Sequence, residues 1–154
     1  VGGLSKLALD APIYAMEPDA STLAGERSPP LTNKKGLLQR LTGIALTRPS
    51  GPITRIGDEE TVGEFTAYHT PGHTPGHAVF HHPPSGSAFL GDLVSEDDGA
   101  LGTLPWPIAY DNGQNRESIR QLAARDLEFE VACMGHGDPL TRGGADALAA
   151  LARR

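Results

Sequence analysis

The segment HTPGHTPGHAVFHH, residues 69–82, constrains the fold of this chain more than any other stretch. His69, His73, His77 and His81 recur every four residues, the spacing that lines one face of a helix. Helix is nevertheless untenable. Pro71 and Pro75 each remove a backbone donor, and Gly72 and Gly76 weaken what remains. The tract must be a bend that leaves one strand and enters another, so its histidines cannot share a face. At most one or two of them point into any single site.

His73 occupies the middle of this bend, with a Pro-Gly pair on each side, and is the best ligand candidate in the tract. Loops at strand ends suit that task, because bent backbone aims the side chain while the sheet holds it. His77, His81 and His82 fall on or beside the next strand, where alternation sends His77 and His81 to one face and His82 to the other. These three are expected to be ordinary strand or surface histidines.

Two further positions share the character of His73. Asp92 ends the run FLGD, and a carboxylate there needs compensation because burying it unpaired is costly. His136 stands in MGHGDP between two glycines that permit close approach. Singly, each reads as a turn residue. Together, three strand ends each deliver one hard donor in a glycine-rich context, which favours metal binding over coincidence.

The remainder of the chain bounds the setting. Its 154 residues make one ordinary domain, residues 1–154, large enough for a core without staples. Nineteen glycines and thirteen prolines imply many short elements joined by tight turns. A net charge of -6 argues against nucleic acid or an anionic membrane as the main partner. The single cysteine, Cys133 in VACM, excludes an internal disulfide framework and is expected to be a buried, inert thiol. No apolar run approaches the roughly 20 residues needed to cross a bilayer. The chain opens VGGLSK without an initiator methionine, so its true start is not visible. A cytoplasmic location is expected.

Periodicity and turn chemistry predict the elements. A helix tail is expected over 3–9, a strand over APIYAM, a helix cap at Asp19, an exposed loop over 26–35 and a weak helical piece at GLLQRLT. ITRIG and TVGEFTAYH read as two strands separated by DEE in a hairpin-like unit. HAVFHH and SAFLGD read as strands joined by a PPSG turn, followed by a long loop from Val94 to Asn112. RESIRQLAARD is a helix capped by Asp111 or Asn112, with Ile119, Leu122 and Ala123 on one face. LEFEVACMG is a strand, and GGADALAALARR a helix with a stripe of Leu148, Leu151 and Ala152. This order suits an α/β or α+β layered domain, a mixed sheet with helices on its outer face.

HTPGHTPGH, then GD after a strand, then GHG after another strand resembles the C-terminal half of the metallo-β-lactamase superfamily. The pattern looks closest to its small hydrolases, the hydroxyacylglutathione hydrolases and lactonases. The resemblance implies half of an αβ/βα sandwich and a dinuclear metal site, usually zinc. It implies His73 as a ligand of the first metal, Asp92 as the carboxylate bridging both, and His136 as a ligand of the second. Such a pair activates a water for attack on an ester, lactone or thioester carbonyl. His69 and His77 fall off the ligand positions, where either could orient a neighbour.

Trp106 and Tyr110, in the loop after Asp92, are the substrate contacts the resemblance suggests, with Trp106 as a core anchor the competing reading. The family's H-x-H-x-D-H motif does not occur in these residues, so the chain reads as a truncated, C-terminal portion. An incomplete metallo-hydrolase, completed by an N-terminal half, is therefore expected. The alternative is a non-catalytic half-domain that acts as a scaffold or self-associates as two copies. A small-molecule substrate is the expected partner of the complete site. Too little chain follows His136 for the helical domain of a dedicated glutathione thioester hydrolase.

Overall fold

The computed structural model describes residues 12–27, 51–104 and 109–154. Strand β1, Ile13–Met16, pairs in parallel with β2, Ile53–Ile56, and helix α1, Asp19–Leu23, follows β1. Strands β3, Glu60–Val62, β4, Phe65–His69, β5, Ala78–His82, and β6, Ser87–Gly91, form an antiparallel run. β9, Val131–Met134, adds to β6 in parallel, giving the order β3-β4-β5-β6-β9. The sheet is therefore mixed. β7, Ser95–Asp97, and β8, Ala100–Gly102, make a separate hairpin, and α2, Asn112–Ala123, and α3, Gly144–Ala152, complete the fold.

Alternation along the strands sorts the two faces. Val79, Ala88, Leu90 and Ala132 turn toward the helices and pack with Ile119, Leu122, Leu148 and Phe129. Each large aliphatic side chain buried there stabilises the fold by about 1.5–3 kcal/mol. The opposite face is partly covered by Met16 and Ile56, which meet Ala67, with Ala78 and Phe80 beside them. Further along that face Phe89 is 43% exposed and Phe65 36%, their rings 5.9 Å apart.

The helix predicted from RESIRQLAARD begins four residues earlier, because Asp111 caps it by accepting from the Gln114 N–H at 2.9 Å. Ile119 and Leu122 are buried as expected. The strand predicted over LEFEVACMG is confined to Val131–Met134. Cys133 is free and only half-buried.

Further expectations are corrected. ITRIG does not pair across DEE with the next strand; β2 pairs with β1 instead. TVGEFTAYH is not one strand but two, folded back at Gly63, whose φ of 61° suits a glycine turn. The long loop after Val94 contains the β7–β8 hairpin, turned at Asp98 and Gly99 with φ of 55° and 79°. Asp-Gly at a hairpin tip is the signal that pattern reading passed over.

Asp19 does not cap α1 either. Pro18 occupies the cap position, no side chain bonds the helix end there, and the Asp19 carboxylate reaches the histidine bend. The expected elements over 3–9 and 36–42, and most of the loop over 26–35, lie outside the described residues.

Candidate metal centre

Three strand-end loops meet at one carboxylate. His73 Nε2 lies 3.2 Å from Asp92 Oδ2, and His136 Nε2 lies 3.6 Å from Asp92 Oδ1. Each imidazole faces a different oxygen. The His73 side chain is 12% exposed and that of His136 61%, so one side of the cluster is walled and the other open.

The His73 bend is held by its own backbone and by α2. The Thr70 N–H donates to the His77 carbonyl at 2.9 Å, and His69 Nε2 is 3.0 Å from the Pro75 carbonyl, closing the bend. On its outer side three consecutive carbonyls are claimed. Ser118 Oγ donates to Pro71, the Asp111 N–H to Gly72 and the Tyr110 N–H to His73, at 2.7, 2.9 and 3.2 Å. Gly72, at φ 142°, backs directly onto the Asn115 backbone, leaving no room for a Cβ.

Asp92 is aimed by an irregularity at the end of β6. Phe89 pairs with Cys133 but Gly91 with Met134, so β6 has one residue too many and bends there. Gly91 takes a left-handed φ of 53°, and a Cβ on it would lie 3.1 Å from His77 Nε2. His77 completes the arrangement. Its Nε2 accepts the Asp92 backbone N–H at 3.2 Å, which leaves its proton on Nδ1, 2.8 Å from Thr70 Oγ1. Burial, followed by the charge of nearby His73, lowers the His77 pKa to about 4, so the ring is neutral at pH 7 as this bond requires. With both nitrogens engaged, His77 orients rather than ligates.

The His136 loop is set by Glu96. The Glu96 N–H donates to the His136 carbonyl at 3.1 Å, and its carboxylate accepts from the Gly99 and Asp138 N–H groups at 2.5 and 2.8 Å. These two donors hold the Glu96 carboxyl below the usual glutamate range. Gly137, at φ 93°, leaves the space that the carboxylate fills. The bare Gly135 has the same use for Asp92, since a Cβ there would collide with Asp92 Oδ1.

The other named residues fall elsewhere. His81 is buried on the helix face with Nε2 3.0 Å from the Glu128 carbonyl. His82 lies on the opposite face, bonded to Ser85 Oγ at 2.7 Å and 4.6 Å from the Phe65 ring. Tyr110 adjoins the bend through its backbone, and burial raises its phenol pKa above the usual value, as does the Asp19 charge. Trp106 lies outside the described residues. Sequence reading missed Thr70, Ser118 and Glu96. Their partners stand 7, 47 and 42 residues away for the bonds that matter, and no local pattern announces the longer two.

The donor set fits a divalent first-row metal, which takes imidazole nitrogen and carboxylate oxygen. Two donors about 2.0–2.2 Å from one ion lie about 3 Å apart, close to the His73–Asp92 separation. No three His, Cys, Asp or Glu side chains among the described residues are grouped to hold one ion. The cluster offers instead one histidine to each side of a shared carboxylate.

A mixed sheet backed by helices here brings two imidazoles and a carboxylate together at its strand ends, a donor class that suits a divalent metal. The comparisons make the class specific. Residues 2–136 match the model of the metallo-beta-lactamase superfamily, and the chain belongs to that family. TTHA1623, solved in a di-iron-bound form, is 29% identical with a TM-score of 0.62, over 90% of this chain and 65% of that one. ST1585 of Sulfolobus tokodaii, an archaeal member of the superfamily, is 18% identical with a TM-score of 0.63, over 99% and 62%. TTHA1429 of Thermus thermophilus is 21% identical with a TM-score of 0.59, over 93% and 50%. The latter two likenesses speak for the fold alone. The chain spans between one half and two thirds of the length of these structures. No curated protein gives a significant match. No helix among the described residues is long and apolar enough to cross a membrane.

Proposed function

We propose that this chain supplies part of the dinuclear centre of a metallo-hydrolase acting on an ester, lactone or thioester. His73 would hold one ion and His136 the other, with Asp92 the carboxylate that both could share. The observation that carries this reading is the Asp92 carboxylate standing between two histidines, one on each oxygen. When bound, such ions polarise a carbonyl and lower the pKa of water to about 7. The chain's own part is to fix the donors: His77 holds the Asp92 backbone, Glu96 the His136 loop and α2 the His73 bend. Tyr110, beside the bend, is the proposed substrate contact within the described residues, with Trp106 the other candidate.

Zinc is the proposed metal, and iron is an alternative suggested by the di-iron form of TTHA1623. The remaining ligands are proposed to come from polypeptide beyond these residues. The exposed Phe65 and Phe89 face supports a covering layer, either the complementary half of the sandwich or a second copy of the chain. Sedimentation separates these two: a monomer favours the former and a tight dimer the latter.

The test, made on the full-length form that includes the remaining ligands, is metal content by mass spectrometry with hydrolysis of ester, lactone and thioester panels. His73→Ala and Asp92→Ala remove most metal and nearly all turnover, whereas His82→Ala does little. Equal loss from all three substitutions overturns the assignment.

A further inference from the structure

We infer that Asp19 is a positioning residue for this centre, its carboxylate presetting the bend that carries His73. The inference rests on the metal reading above. Asp19 stands in the first turn of α1 but does no capping there. Both of its oxygens leave the helix instead. Oδ2 accepts from the hydroxyl of Thr74, and Oδ1 accepts the Gly76 N–H at 2.9 Å. These contacts bracket Pro75, two residues after His73.

The grip is close. A Cβ on Gly76 would lie 2.7 Å from the Asp19 backbone nitrogen, its Cβ and the Met16 carbonyl, so only glycine lets the two backbones meet. From the other side Ser118, Asp111 and Tyr110 hold the carbonyls of Pro71, Gly72 and His73. His73 is thus suspended between two clamps, one on α1 and one at the start of α2. Both Asp19 oxygens are engaged by the bend, which makes the residue a positioner of His73.

Charge-assisted bonds of this kind are roughly twice as strong as neutral ones. They settle the loop before an ion arrives, so binding does not have to order it. Loss of such an outer contact typically weakens a metal site about 10–100-fold.

The experiment is a cobalt(II) titration of the full-length protein, in which this chain is joined to the polypeptide that supplies the remaining ligands, read by ligand-field absorption, with urea unfolding run alongside. Asp19→Ala is expected to weaken His73-dependent cobalt binding about 10-fold or more and to alter the absorption band, while unfolding stays cooperative. Asp19→Asn is expected to recover most of the affinity. Its amide oxygen still accepts from Gly76, and its amide nitrogen can donate to Thr74. Thr74→Val, which keeps Asp19 but deletes one contact, is expected to weaken binding several-fold and keeps the test decisive should Asp19→Ala not fold. Binding by Asp19→Ala or Thr74→Val equal to wild type, with the same spectrum, overturns the inference and spares the metal reading. Wild-type binding that His73→Ala leaves intact, or no binding at all, sinks both.

Discussion

The backbone N–H of Asp92 donates to Nε2 of His77 across 3.2 Å, joining the end of one strand to the start of another. This bond makes a neutral imidazole part of the scaffold. His77→Ala leaves the Asp92 N–H and the Thr70 hydroxyl without their partner, at a cost of about 1–3 kcal/mol. Urea denaturation checks the figure. Metal content should fall less than in His73→Ala, because the donors survive and only their aim is lost.

Two glycines at the same site should respond differently to alanine. Gly72→Ala drives a Cβ into the Asn115 backbone of α2, which cannot retreat, and should cost about 3 kcal/mol in stability. Gly135→Ala meets the carboxylate of Asp92, the end of a side chain that can rotate away. It should cost about 1 kcal/mol yet lower metal affinity nearly as much as Asp92→Ala. Thermal melts beside metal titrations separate the two outcomes, and equal stability losses would contradict the geometry.

Glu96 predicts a loop effect without a large stability effect. Its carboxylate joins the N–H of Gly99, at the tip of the β7–β8 hairpin, to that of Asp138, two residues after His136. Glu96→Ala should speed amide hydrogen exchange at both positions and weaken metal binding several-fold. Unchanged exchange at Asp138 would remove Glu96 from the site's scaffold.

Asp58 gives the pH dependence. Burial pushes its pKa up, but the His69 N–H at 2.8 Å and the Arg125 guanidinium at 2.7 Å outweigh that and hold it below the usual aspartate value of about 3.9. A depressed carboxyl stabilises the fold above its unfolded pKa, and that stability is lost as pH falls through the folded value. Acid melts should therefore steepen below about pH 4, and Asp58→Asn should flatten that limb. Arg125 also pairs with Glu59 and lies 5.0 Å over the Tyr68 ring. Arg125→Ala should cost about 1 kcal/mol and leave metal binding unchanged, as equilibrium unfolding and titration can show.

The bend at residues 69–77 was legible because proline and glycine act locally: no tertiary contact can make that tract a helix. The same holds for β5, β6, α2 and α3, whose period-2 and period-3.6 patterns reside within each segment. His73, Asp92 and His136 could be named as strand-end donors on that ground. What chain-local patterns cannot carry is partner choice. Whether β2 pairs with β1 or with β3, which Asp92 oxygen faces which histidine, and that Asp19 grips a bend 55 residues away were decided only when the sheet closed. Those outcomes depend on through-space distances of about 3 Å between groups remote in sequence, set by packing of the whole domain rather than by the propensities of neighbours.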